Sequence, residues 1–244
     1  MNRVCNVFSE LKAKGEKALI TFITGGDPDI ATTKSLILAM ADAGADIIEI
    51  GIPFSDPVAE GIAVQDASKR ALENGCTVDN LFDMVQKLRI KVSIPILFVT
   101  YANPIYAYGK QRFMARCKDT GIDGIIVPDV PFEEKDEFEG ECNRHEIYLI
   151  SVLAPTSGKR AGEIASEAKG FVYCISAPGI TESSIPCAIE VEICTPAEVR
   201  SIAALADGVI INSAVVKLVA EHGVNSINPV QELICEVKQE MKTT

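Results

Sequence analysis

Eight short apolar runs punctuate the chain, at residues 18–23, 47–50, 96–100, 124–127, 148–152, 171–176, 188–193 and 208–211. A run that is apolar at nearly every position suits a parallel strand covered on both faces. Between most of them, apolar side chains recur at spacings of three and four, as in Leu36, Ile37, Met40 and Ala41 or Leu81, Phe82, Val85 and Leu88. That period predicts amphipathic helices with one face on a core. One phrase marks three of the helix-to-strand joints: Ala43-Gly44-Ala45-Asp46-Ile47-Ile48, Thr120-Gly121-Ile122-Asp123-Gly124-Ile125-Ile126 and Ala206-Asp207-Gly208-Val209-Ile210-Ile211. Gly44 and Gly121 suit the left-handed residue after a helix, and the Asp suits the turn.

Eight strands alternating with helices predict a (β/α)8 TIM barrel, one domain over residues 1–244. A doubly wound open sheet is the alternative, but no G-x-G-x-x-G follows the first strand to mark a dinucleotide site. The last helix is expected to start with Asn228 as N-cap and Pro229 in first position, and to bury Val230, Leu233, Ile234 and Val237. The connection between strands six and seven is irregular. Residues 177–187 include Pro178 and Pro186 and are too few for a crossover helix. Eleven extended residues reach at most about 40 Å, enough to run back along a strand of about 17 Å as a bare loop.

Composition narrows the function classes. The 244 residues are 48% hydrophobic and 23% charged, enough apolar side chain for a large core. With 23 Lys and Arg against 34 Asp and Glu, the net charge is -11, which argues against a nucleic-acid partner. The eight cysteines are scattered without a C-x-x-C pair and there are two histidines, so a zinc site is not expected. Cysteines inside apolar runs, such as Cys174, and an opening without a signal-peptide pattern predict a reducing, cytoplasmic setting. No apolar stretch approaches the ~20 residues of a membrane-spanning helix.

Active sites of such barrels lie at the C-terminal ends of the strands, and Glu49 falls there within Ile47-Ile48-Glu49-Ile50-Gly51. Pointing inward, its carboxylate would lose water and hold its proton toward neutrality, as proton transfer requires. A strand-end Glu in water, or tied to a lysine, is the competing reading. The next segment, residues 51–61, carries two prolines, two glycines and two acids, which suits a shaped functional loop. Glu60 could reach back to face Glu49 and divide acid and base roles with it; a solvated loop acid is the alternative. Asp56 between prolines could equally be a turn former.

The string Ile48-Glu49-Ile50-Gly51-Ile52-Pro53-Phe54-Ser55-Asp56-Pro57 resembles the signature of the tryptophan synthase alpha chain family. The likeness continues through Phe22-Ile23-Thr24-Gly25-Gly26-Asp27-Pro28, Thr100-Tyr101-Ala102-Asn103-Pro104, Gly124-Ile125-Ile126-Val127-Pro128-Asp129-Val130-Pro131 and Ala206 to Ala214. The resemblance implies cleavage of indole-3-glycerol phosphate to indole and glyceraldehyde 3-phosphate without metal or cofactor. It also implies a tryptophan synthase beta subunit as partner, in an α2β2 tetramer. By that likeness Glu49 is the proton shuttle and Glu60 accepts the indole N–H. Phe22, Tyr101, Ile126 and Tyr173 wall the indole pocket, Thr181 and Ser213 belong to the phosphate end, and Asp56, Asn103 and Pro104 face the partner. Ordinary core packing would look the same for the four pocket residues.

Two departures stand out. Glu60 occupies a place where the family usually has Asp, so its stem is one methylene longer. At the phosphate end the family's motifs resemble G-V-T-G, G-F-G-I and a G-S pair, whereas this chain reads Gly179-Ile180-Thr181-Glu182, Glu190-Val191-Glu192-Ile193 and Asn212-Ser213. Acids in place of glycines are expected to weaken phosphate binding. Two readings stay open: a normal subunit lacking residues near Glu182, or a chain that has shed phosphate binding. The latter would be a catalytically weak subunit that binds and activates a beta subunit. A phosphate-sugar isomerase on the same barrel fits less well, since the 51–56 string is not expected there.

Overall fold

A computed structural model describes residues 2–175, 185–191 and 195–242. The strands are β1 (Ala18–Thr24), β2 (Ile47–Gly51), β3 (Ile96–Val99), β4 (Gly124–Ile126), β5 in two halves (Tyr148–Leu149 and Ser151–Leu153), β6 (Val172–Cys174), β7 (Cys187–Val191) and β8 (Gly208–Ile211). The helices are α1 (Arg3–Lys14), α2 (Ile30–Asp42), α3 (Ile62–Glu73), α4 (Val78–Leu88), α5 (Ala102–Tyr108), α6 (Lys110–Thr120), α7 (Asp136–Arg144), α8 (Ala161–Glu167), α9 (Pro196–Ala203), α10 (Ser213–His222) and α11 (Ile227–Lys242).

Every strand pairs in parallel with its sequence neighbour, and β1 pairs with β8 as well as with β2. The first half of β5 pairs with β4 and the second with β6. Ile150 between the halves still donates its N–H to the Ile125 carbonyl at 2.9 Å, so the ring closes there. The sheet is the expected eight-stranded barrel, and the open doubly wound alternative falls away. β6 leaves Phe171 and Ile175 of its apolar run outside the strand, and β7 begins one residue before its run. Residues 176 and 192–193, and residues 177–184 of the irregular connection, lie outside the described residues.

Alternation along each strand divides two cores. Ala18, Ile20, Phe22, Ile47, Leu97, Val99, Ile126, Tyr173, Ala188 and Ile210 fill the interior, plugged from below by Val4, Phe8 and Leu11 of α1. The opposite set, including Leu19, Ile48, Phe98, Ile125 and Val209, packs outward on the helices. Cys117, Cys142, Cys174 and Cys187 are buried among such side chains, Cys5 and Cys76 are half-buried, and Cys235 is exposed. Cys194 lies outside the described residues. Among the described residues no helix is long and apolar enough to cross a membrane.

The recurring helix-to-strand phrase does more than turn the chain. Gly44 and Gly121 have φ of 104° and 85°, as expected. The aspartates reach across to the strand before. Asp46 accepts the Leu19 N–H at 2.7 Å, Asp123 that of Ile96 at 3.0 Å, and Asp207 that of Cys187 at 3.0 Å. Each thereby satisfies a donor at a strand start. The last helix corrects its expected start. It begins at Ile227, with the Ser226 carbonyl accepting from Val230 N–H at 3.0 Å, so Asn228 is inside the first turn and is not the cap. Pro229 is still tolerated there, because first-turn N–H groups have no intrahelical acceptor. Val230, Ile234 and Val237 are buried as expected, and Leu233 packs half-buried at the edge.

Candidate active site

Glu49 faces the barrel interior because it follows the inward Ile47 by two residues, in register between Phe22 on β1 and Leu97 on β3. Its side chain is fully buried, and neither carboxylate oxygen has a hydrogen-bond partner among the described residues. Burial pushes its pKa well above the usual carboxylate range, and the charges of Glu190 and Glu60 push it further. The alternative of a solvated or lysine-paired Glu is therefore ruled out. A buried, unpartnered carboxylate is costly to the fold, which makes it a marker of chemistry. Gly51 permits this packing, since a Cβ there would stand 2.6 Å from the Phe22 ring.

The loop after β2 brings Glu60 to the same place. The Ala59 N–H donates to the Tyr101 hydroxyl at 2.9 Å, and Gln65 Nε2 donates to the Glu60 carbonyl at 2.7 Å, so the backbone is held on both sides of Glu60. Tyr101 in turn packs on Phe54, ring centroids 5.4 Å apart. Burial, then the charge of Glu190, raises Glu60 to about 7. It is thus no freely solvated loop acid. Burial likewise pushes the Tyr101 phenol up to about 12. The helix that follows the loop, α3, is anchored by Arg70, whose Nε and Nη2 meet the two oxygens of buried Asp27 at 2.9 and 2.8 Å. Sequence reasoning missed this fork. Asp27 stood inside a quoted motif, but nothing in α3 set Arg70 apart from a solvated helix face.

Across the mouth, Tyr173 is buried on β6, and its phenol is raised by burial and then by Glu49, Glu190 and Glu60. Its hydroxyl accepts from Asn212 Nδ2 at 3.4 Å, and the same amide donates to Glu190 Oε1 at 2.9 Å. Phe22 and Ile126 are buried in the same interior cluster. Ser213 opens α10, half-buried beside Asn212. Thr181, Glu182 and Glu192 lie outside the described residues. Asp56 is exposed on the rim, bonded by the Ser55 hydroxyl at 2.6 Å. Asn103 is exposed and Pro104 half-buried at the start of α5, lining with Pro53, Phe54 and Tyr108 a hollow beside the mouth. Among the described residues no group of three or more His, Cys, Asp or Glu is placed to hold a metal ion.

The arrangement is one of paired acids over an aromatic pocket, suited to moving protons on a flat apolar substrate. Over residues 8–192 the sequence matches the family model described as tryptophan synthase alpha chain. The chain belongs to the tryptophan synthase alpha chain family. It is 42% identical over 252 residues to the tryptophan synthase alpha chain of Thermoanaerobacter sp. (strain X514), covering 96% of each. Its fold superposes on tryptophan synthase subunit alpha from Legionella pneumophila with a TM-score of 0.93, at 31% identity and 100% of both chains. A chain of M. tuberculosis tryptophan synthase in its aminoacrylate-bound form gives a TM-score of 0.91 at 29% identity, covering 99% and 100%. The chain is accordingly the family's carbon–carbon lyase subunit in tryptophan biosynthesis.

Proposed function

We propose that the mouth cleaves an indolyl glycerol phosphate, indole-3-glycerol phosphate, by retro-aldol chemistry, with Glu49 as proton shuttle and Glu60 as acceptor for the ring N–H. The observation that carries this reading is the buried, unpartnered Glu49 carboxylate between Phe22 and Leu97. Protonated Glu49 donates to indole C3, which makes the ring an N-protonated indolenine cation. The Glu60 carboxylate stabilises that cation through the ring N–H. Glu49, now anionic, takes the proton of the glycerol hydroxyl beside C3. The carbon–carbon bond breaks, its electron pair returns to the ring, and indole and an aldehyde leave. Phe22, Tyr101, Ile126 and Tyr173 hold the ring, with Ser213 at the far end.

The mechanism needs Glu60 ionised and Glu49 protonated together. Cleavage is expected to rise with pH as Glu60 ionises near 7 and to fall again at higher pH as Glu49 loses its proton. A pH profile of kcat/KM checks this, and Glu60→Gln should remove the acid limb; a flat profile between pH 6 and 8 would count against the roles. Stability runs the other way. An unfolded Glu releases its proton near 4.5 but folded Glu60 near 7, so between those values the folded chain binds more protons and its contribution to stability falls as pH rises.

We place the chain in the cytoplasm as one barrel domain, docking a tryptophan synthase beta subunit in an α2β2 assembly through Asp56, Asn103 and Pro104. Val58 on the loop and Ile62 at the start of α3, 82% and 76% exposed, support an apolar contact there. Glu190 in the mouth favours a second reading, a feeble lyase that chiefly activates its partner. In that case adding the chain stimulates a beta subunit supplied with free indole, while no indole is released from indole-3-glycerol phosphate. Release of indole would leave the lyase reading in place.

A further inference from the structure

Glu60 acts from a loop, and a loop holds a side chain less firmly than a strand does. Residues 52–61 are neither strand nor helix, and their far end is fixed by α3, which starts at Ile62. α3 in turn is fastened at its other end. Besides the Arg70 fork on Asp27, Asn74 at its C-cap donates Nδ2 to the Pro28 carbonyl at 2.8 Å, and Cys76 Sγ donates to the Gly25 carbonyl at 3.6 Å. All of these acceptors belong to the turn between β1 and α2. The last turn of α3 is therefore pinned to the rim of β1 while its first turn delivers Glu60.

Between those ends α3 buries mostly small side chains, Ala67, Ser68 and Ala71 with Val64. Such a face has few interlocking groups to set the tilt of the helix. A planar guanidinium on both oxygens of one carboxylate fixes direction as well as distance. Asp27 is 1% exposed, and an ion pair that strips a carboxylate of water is weak support for a fold by itself. At about 1.5 Å per residue, Glu60 stands about 15 Å along α3 from Arg70. A tilt of about 5° about the fork would carry Glu60 about 1.3 Å, and about 1 Å can cost a hundredfold in rate. We infer that the Arg70–Asp27 fork is a positioning device for Glu60, fixing the tilt of α3 so that this carboxylate stays beside Glu49 and out of water. The inference rests on the role given to Glu60 above.

The test is an NMR titration of the full chain carrying 13C at its glutamate carboxyls, with the Glu60 signal identified by its loss in Glu60→Gln, alongside kcat and kcat/KM for indole release. Wild-type Glu60 is expected to titrate near 7, held there by burial and then by Glu190. Arg70→Lys keeps the charge but offers one point of contact, and Arg70→Met keeps the stem without the charge. Both should let water reach Glu60, so that it titrates at least about one pH unit lower. Both should also lower kcat and kcat/KM together by about tenfold or more, since Glu60 acts in the transition state. Asp27→Asn should do the same, and joined to Arg70→Met it should lose little beyond the worse single variant. A fork that merely supports the fold would lower the melting temperature and leave the Glu60 titration in place. That result, full rescue by Arg70→Lys, or a wild-type Glu60 titrating near 4.5 would overturn the inference. A Glu60 titration that shifts in Arg70→Lys, in a chain that releases no indole, would sink the lyase reading and support the positioning role.

Discussion

Glu49→Gln is expected to lower kcat for cleavage about a thousandfold and to leave the barrel as stable as before or more so. Proton transfer by a positioned side chain contributes roughly 10²–10⁴ in rate, and Glu49 is asked to give one proton and take another within a turnover. Glutamine keeps the volume of the side chain between Phe22 and Leu97 but can do neither. Stability should not suffer, because the native carboxyl has no hydrogen-bond partner among the described residues to lose and is pressed by Glu190 and Glu60. The variant is checked by single-turnover indole release together with a thermal melt. Full activity would remove Glu49 from the mechanism; inactivity with a collapsed melt would make its role structural.

At the opposite end of the barrel, Asp123→Ala is expected to destabilise the fold by about 3–5 kcal/mol, the cost of stripping one partner from a buried ion pair. Asp123 is 4% exposed and accepts from Arg3 at 2.9 Å, from Arg89 at 2.6 Å and from the Ile96 N–H at 3.0 Å. Arg89 itself is mostly buried, and desolvation lowers its pKa to about 10. It also donates to the carbonyls of Gly121, Val92 and Ile94, so it cannot swing into water without unmaking the β3 and β4 starts. At roughly 2–4 °C per kcal/mol for a chain of this size, the melting temperature should drop by about 6–20 °C. Asp83→Ala breaks the more exposed pair with Arg116 and is the control, expected to cost about 1 kcal/mol or less. A similar small loss in both would mean that the Asp123 cluster is no more than a surface pair.

Strand positions were legible, since a strand covered on both faces has to be apolar at every residue, and β1, β2 and β8 lie where the runs placed them. Gly44 and Gly121 were legible too, because few other residues adopt a positive φ after a helix. The role of the recurring aspartates was not. Asp46, Asp123 and Asp207 looked like turn formers, and their true acceptor duty is to a strand 20 to 27 residues earlier.

The site shows the same division. Glu49 could be named from the chain, because a lone acid in an apolar strand run at a barrel's C-terminal rim has few explanations. That Glu190 shares its cavity, that Tyr101 pins the loop of Glu60, and that Arg70 grips Asp27 were decided by closure of the ring. Side-chain periodicity is a local property, set by backbone geometry over a few residues, and a sequence displays it directly. Which charges stand together, and how far they are stripped of water, depends on strands brought side by side from distant parts of the chain, and only the folded barrel settles it.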